Sequence, residues 1–142
     1  MDNKFSSAIH TLILISESDQ PLTSEDIAKS AGTNASYIRK ITGLLKKRDI
    51  IDSHRGVSGF SLKVKSEDLT LLQISQAVNE TERPCLFDLH QNPNDACVVG
   101  RHIQPVLTGM FAEIEDALAS TLAKKTLADC ISGIRKRLGA ES

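Results

Sequence analysis

Cys85, His90, Cys97 and His102 fall in one stretch with the spacing Cys-x4-His-x6-Cys-x4-His. Thiolates and imidazoles are ligands that zinc prefers, so the four could hold a metal, although the gaps do not match the usual finger spacings. Two of them also allow redox chemistry. A thiol near a helix N-terminus has its thiolate favoured, and Cys85, twelve residues earlier, could resolve an oxidised Cys97 as a disulfide within or between subunits. The plain alternative is two small apolar side chains filling gaps. A nucleophile–base pair of Cys97 with His90 or His102 is the catalytic option. No third orienting residue, glycine-rich phosphate loop or carboxylate pair accompanies it, so an enzyme is not expected.

A second set of residues is basic. Between Ser36 and Lys65 eight Lys or Arg face two acids, whereas from Ser66 to the end seven face eleven. In a chain of net charge −1 such a window is the footprint of a surface for a polyanion. The competing reading is a solvated charged face.

The elements that must position these residues follow from spacing. Phe5, Ala8, Ile9, Leu12, Ile13 and Ile15 predict a first helix over about 4–17. Thr23 with an acid three residues on opens a second, whose apolar face is Ile27, Ala28 and Ala31, and Gly32 turns the chain. Asn34 or Ser36 caps a third, with Ile38, Ile41, Leu44 and Leu45 inward and Ser36, Tyr37, Arg39, Lys40 and Lys46 outward. Ile50 to Leu62 reads as two short strands around a glycine-bearing turn. Ser66-Glu67-Asp68 predicts the cap of a helix carrying Leu69, Leu72, Ile74 and Val78.

Residues 80–100 carry Pro84, Pro93 and Gly100 and predict an irregular loop holding the cysteines. A long helix is expected over about 101–124, with Pro105 tolerated only in its first turn. Its stripe of Ile103, Val106, Leu107, Met110, Ile114, Ala117, Leu118 and Leu122 needs a partner. At roughly 36 Å this helix outruns a small domain. Thr126 with Asp129 opens a last helix with Leu127, Cys130, Ile131, Ile134 and Leu138.

The fold class is therefore mainly α with a small β-hairpin wing. A winged helix-turn-helix over 1–80 is followed by a cysteine-bearing loop over 81–100 and dimerisation helices over 101–142. That order implies double-stranded DNA as partner, a homodimer through Ile103, Val106, Leu107, Met110, Ile114 and Leu118, and a palindromic site. Arg39 and Lys40 should reach guanine in the major groove. Thr23, Asn34, Ser36 and Tyr37 should bond phosphates or base edges, and Lys46, Lys47 and Arg48 phosphates. Arg55 and Ser58 belong to the wing, with Arg55 entering the minor groove. A winged-helix interaction module that binds no DNA is the alternative of a different class. No apolar run approaches the ~20 residues of a membrane span. Met1-Asp2-Asn3-Lys4 does not read as a signal peptide, so the cytoplasm, with reduced cysteines, is expected.

The segments Asp26-Ile27-Ala28, Tyr37-Ile38-x-Lys40-Ile41, Leu44-Leu45-Lys46, Arg55-Gly56 through Gly59-Phe60-x-Leu62, and Leu69-Thr70-Leu71-x-x-Ile74-x-x-Ala77-Val78 resemble the Rrf-two family of bacterial winged-helix regulators. The resemblance covers nearly the whole chain. It implies DNA binding and a dimer through the long helix; repression is the default for a small dimer with no visible polymerase-contact segment. Two departures matter. Only Gly59 precedes Phe60, where the family usually has two adjacent glycines. The cluster-binding members carry three closely spaced cysteines before the long helix; here there are two, and Ser6 falls where some members place an acid. No cofactor, and no iron–sulfur cluster, is expected.

Overall fold

Local capping sets most of the element boundaries in the computed structural model, which describes residues 3–54 and 59–141. The expectations for Arg55 and Ser58 lie outside the described residues. Helix α1 (Lys4–Glu17) is followed by α2 (Ser24–Ala31) and α3 (Ala35–Lys47). Thr23 and Asp26 form a reciprocal box at the start of α2: the Thr23 hydroxyl accepts from Asp26 N at 3.1 Å, and Thr23 N donates to Asp26 Oδ2 at 2.9 Å. That backbone N–H, with the Thr23 hydroxyl, holds the Asp26 carboxyl below its usual range. Gly32 closes α2 in the left-handed conformation. Of the two possible caps for α3, Asn34 takes the role, its Oδ1 accepting from Tyr37 N at 2.9 Å.

The wing consists of β1 (Ile51–Ser53) and β2 (Phe60–Leu62), antiparallel with Ile51 opposite Leu62 and Ser53 opposite Phe60. Gly59 sets how the wing meets the body. Its φ is +139°, and a Cβ there would lie 2.9 Å from Pro21 Cβ, so any side chain would push the hairpin off the α1–α2 connection.

After the wing, the structure corrects the expected cap. Ser66, Glu67 and Asp68 form a turn, and α4 (Leu71–Asn79) is capped by Thr70, paired with Gln73 in a box. Leu69, fully buried, anchors the chain just before that cap. Helix α5 (Val98–Lys124) is 27 residues long, about 40 Å. It begins before Gly100, so Pro105 lies in its interior rather than in its first turn. Proline there removes the N–H that would pair with the Arg101 carbonyl, on a face where Arg101 is exposed and water can replace it. Helix α6 (Leu127–Glu141) opens with Thr126 and Asp129 capping each other, as their spacing predicts.

One core joins Ala8 and Leu12 of α1, Ile41 and Leu45 of α3, Ile50 and Ile51, Leu69, Ile74 and Val78 of α4, and Leu127 and Ile131 of α6. A smaller cluster of Ile27, Ala28 and Ile38 seats α2. Helix α6 is therefore part of the head. Leu71 N donates to Lys125 O and Leu127 N to Leu69 O, both at 2.9 Å, and Arg135 pairs with Glu17 of α1 at 2.7 Å. Residues 101–142, expected as one group of dimerisation helices, thus divide: α6 packs into the head core, and α5 meets the head along α4. Among the described residues no helix is long and apolar enough to cross a membrane.

Candidate nucleic-acid interface

Helical periodicity divides α3 cleanly. Ile38, Ile41, Thr42 and Leu45 are buried, which turns Ser36, Arg39, Lys40, Gly43, Lys46 and Lys47 outward. Ser36, Arg39 and Lys40 sit within the first turns, directly after the Asn34 cap. The Thr23 hydroxyl and the Asn34 carbonyl oxygen are both engaged in capping, so these two side chains hold the turn that presents the helix. Tyr37 differs from expectation: it is half-buried, and its hydroxyl donates to Asn3 Oδ1 at 2.8 Å, tying α3 to the start of α1.

The basic residues fall into two groups. Arg39 carries one ion pair, Nη1 to Glu25 Oε1 of α2 at 3.3 Å. At the far end of α3, Lys47 faces Glu80 at 3.7 Å and Arg48 faces Glu82 at 3.0 Å. Acids just beyond α4 thus reduce the positive field there, while Lys40 and Lys46 remain exposed. Sequence reasoning missed Gly43. It lies at the middle of the outward face, and a Cβ there would meet nothing within 4 Å. Glycine in a helix interior is unfavourable by roughly 1 kcal/mol, and nothing inside the chain requires it. The exposed position in the pattern of α3 was its only signal.

Residues 80–97 form a strap running antiparallel along α5. Arg83 pairs with Asp116 at 2.9 Å, Leu86 N donates to Glu115 Oε2 at 3.1 Å, the Phe87 and Phe111 rings lie 4.9 Å apart, and Gln104 Nε2 donates to His90 O at 3.0 Å. Glu115 is the buried residue of α5 because it receives this strap. At the other end a Cβ on Gly100 would collide with the Asn94 carbonyl, so glycine lets the strap fold back into the helix.

This path separates the cysteines. Cys85 neighbours the Glu115 end of α5 and Cys97 caps its start, 18 residues or about 27 Å of helix away. A disulfide needs Cα atoms within ~7 Å, so pairing within one subunit is overturned for this conformation; both are free and exposed. The same path bears on the metal reading. Cys85, His90, Cys97 and His102 are strung along the helix, and among the described residues no three His, Cys, Asp or Glu side chains are gathered for a metal. The backbone N–H groups of Gly100 and Val99 lower the Cys97 thiol from its usual range. Burial, helped by Asp129, pushes the Cys130 thiol up.

The predicted apolar stripe of α5 splits in two. Ile103, Leu107 and Leu118 are half-buried, whereas Val106, Met110 and Ile114 are about half exposed, and Val98 and Val99 more so.

A family profile described as Rrf2, iron-dependent transcriptional regulator, matches residues 1–133. The chain is 41% identical over 132 residues to a protein of Bacillus subtilis strain 168, named as a candidate HTH-type transcriptional regulator, YwnA; the match covers 93% of this chain and 97% of that one. A crystal structure of a candidate DNA-binding protein shares 38% identity with a TM-score of 0.75, covering 90% of this chain and 98% of its own. The structure of CymR, the global cysteine regulator of B. subtilis, shares the fold at 17% identity and a TM-score of 0.65, covering 93% and 95%. The profile's description names iron. The residues present here do not fit an iron–sulfur cluster held within one chain, because Cys85 and Cys97 stand at opposite ends of the strap and Cys130 lies on α6.

Proposed function

The chain belongs to the Rrf2 family of transcriptional regulators, and from that premise we propose that it is a cytoplasmic, two-fold dimer that represses transcription by reading a palindromic operator. Helix α3 enters the major groove with Ser36, Arg39 and Lys40, and the wing reaches the neighbouring groove. The observation that carries this reading is the outward face of α3. It combines exposed Arg39 and Lys40 with Gly43, a residue whose missing side chain serves no contact inside the chain and leaves room for close approach. Val106, Met110 and Ile114 of α5 support the dimer, since half-exposed apolar side chains in a row mark an association face.

Cys97 is the residue for thiol modulation. Its exposure and favoured thiolate suit reaction with peroxide, and its place at the first turn of α5 couples any modification to the helix that joins the two heads. Because Cys85 of the same subunit is remote, the first product is a sulfenic acid or a mixed disulfide.

The test is a gel-shift titration at fixed salt on DNA selected from a random pool. Arg39→Ala combined with Arg55→Ala should abolish specific binding, since a good Arg39–guanine pair is worth about 1–3 kcal/mol and Arg55 supplies the minor-groove contact of the wing. Unchanged affinity would remove the DNA-contact assignment of these two arginines, and a wild type that shows no salt-dependent DNA binding would favour a module that binds no DNA.

A further inference from the structure

We infer that Glu25 is a positioning residue for base recognition: through Oε1 it holds the Arg39 guanidinium in the orientation in which that group meets a guanine edge. The inference rests on α3 being the recognition helix. Glu25 lies in the first turn of α2, beside the capping box but outside it, since Thr23 and Asp26 already satisfy the helix start. Its carboxylate reaches across to α3 and takes Arg39 Nη1 at 3.3 Å.

Both side chains are more than half exposed, at 58% for Arg39 and 69% for Glu25. An exposed ion pair adds little to folding, and an acid on a face meant for phosphate weakens attraction to DNA. Neither stability nor electrostatic affinity explains the carboxylate there; orientation does. The contact uses one terminal nitrogen of a planar fork with five donors, leaving the others for guanine O6 and N7. Arginine held in place before binding loses less rotamer freedom on binding.

The experiment uses the full chain. Wild type, Glu25→Gln, Glu25→Asp, Arg39→Ala and the Glu25→Gln/Arg39→Ala double variant are titrated against the selected operator and its single-base variants, at several salt concentrations. An arginine–guanine pair discriminates roughly 5- to 150-fold against the wrong base. Glu25→Gln should lose at least about fivefold of discrimination at one guanine while binding average DNA as tightly as wild type or more tightly. Glu25→Asp should restore part of it. Arg39→Ala should erase discrimination at that same position, so that the double variant loses nothing more there. A Glu25→Gln protein whose affinity changes equally for all four bases would overturn the inference, as would losses that add to those of Arg39→Ala. If wild type enriches no preferred sequence, the recognition-helix reading falls as well, which separates the two failures. Matching circular dichroism and unfolding midpoints show that a loss is not one of folding.

Discussion

The head and the long helix obey opposite rules. In the head, Leu12, Ile27, Ile38, Ile41, Leu45 and Ile74 are fully buried, and five helices close on them. In α5 the buried position belongs to a glutamate, while Val106 and Met110 stand 55% and 56% exposed. A domain that can close a core around its own leucines gains nothing by leaving a row of aliphatic side chains in water. The difference teaches that the head closes a core of its own while α5 keeps an apolar row exposed, the row the proposed dimer would cover.

The largest effect should come from the head. Leu45→Ala leaves a cavity in the core where α3 packs against α1 and α4 and should cost about 2–5 kcal/mol in denaturant unfolding. A smaller loss would mean that the core relaxes easily and that the contrast with α5 is shallow. Next is Val106→Glu with Met110→Glu. The head should keep its circular dichroism, while sedimentation shows the mass falling from dimer to monomer and operator affinity dropping at least tenfold. A variant that remains dimeric would place the association face elsewhere.

The smallest effect concerns the thiols at the two ends of the comparison. Cys97 at the start of α5 has its pKa lowered by backbone N–H groups, and Cys130 in α6 has its pKa raised by burial. The thiolate is the reacting form. Alkylation of Cys97 should therefore persist to lower pH than that of an ordinary thiol, and that of Cys130 should begin only at higher pH. Rate–pH profiles by mass spectrometry with coincident midpoints would sink this assignment.

Much of the helix-turn-helix was legible in the chain. Thr23, Asp26, Asn34, Thr126 and Asp129 act on residues three positions away, so spacing alone predicts their caps. The outward set on α3 follows from the period of 3.6 once Ile38, Ile41 and Leu45 are taken as inward. Less legible was whatever depends on distant chain. Tyr37 reads as a surface residue until Asn3 is placed against it. Cys85 and Cys97 read as a pair because twelve residues separate them, yet an extended strap carries them far apart. Nor could the sequence show that Glu80 and Glu82 stand beside Lys47 and Arg48.

The sequence by itself determined the helices, their caps, the basic face and the winged order of elements, because those depend on neighbours within a turn or a strand. Only the tertiary structure decided that α6 belongs to the head, that the strap spreads the cysteines along α5, and that Glu25 meets Arg39. Each of those is a contact between elements whose approach is set by the whole core, and no local spacing encodes it.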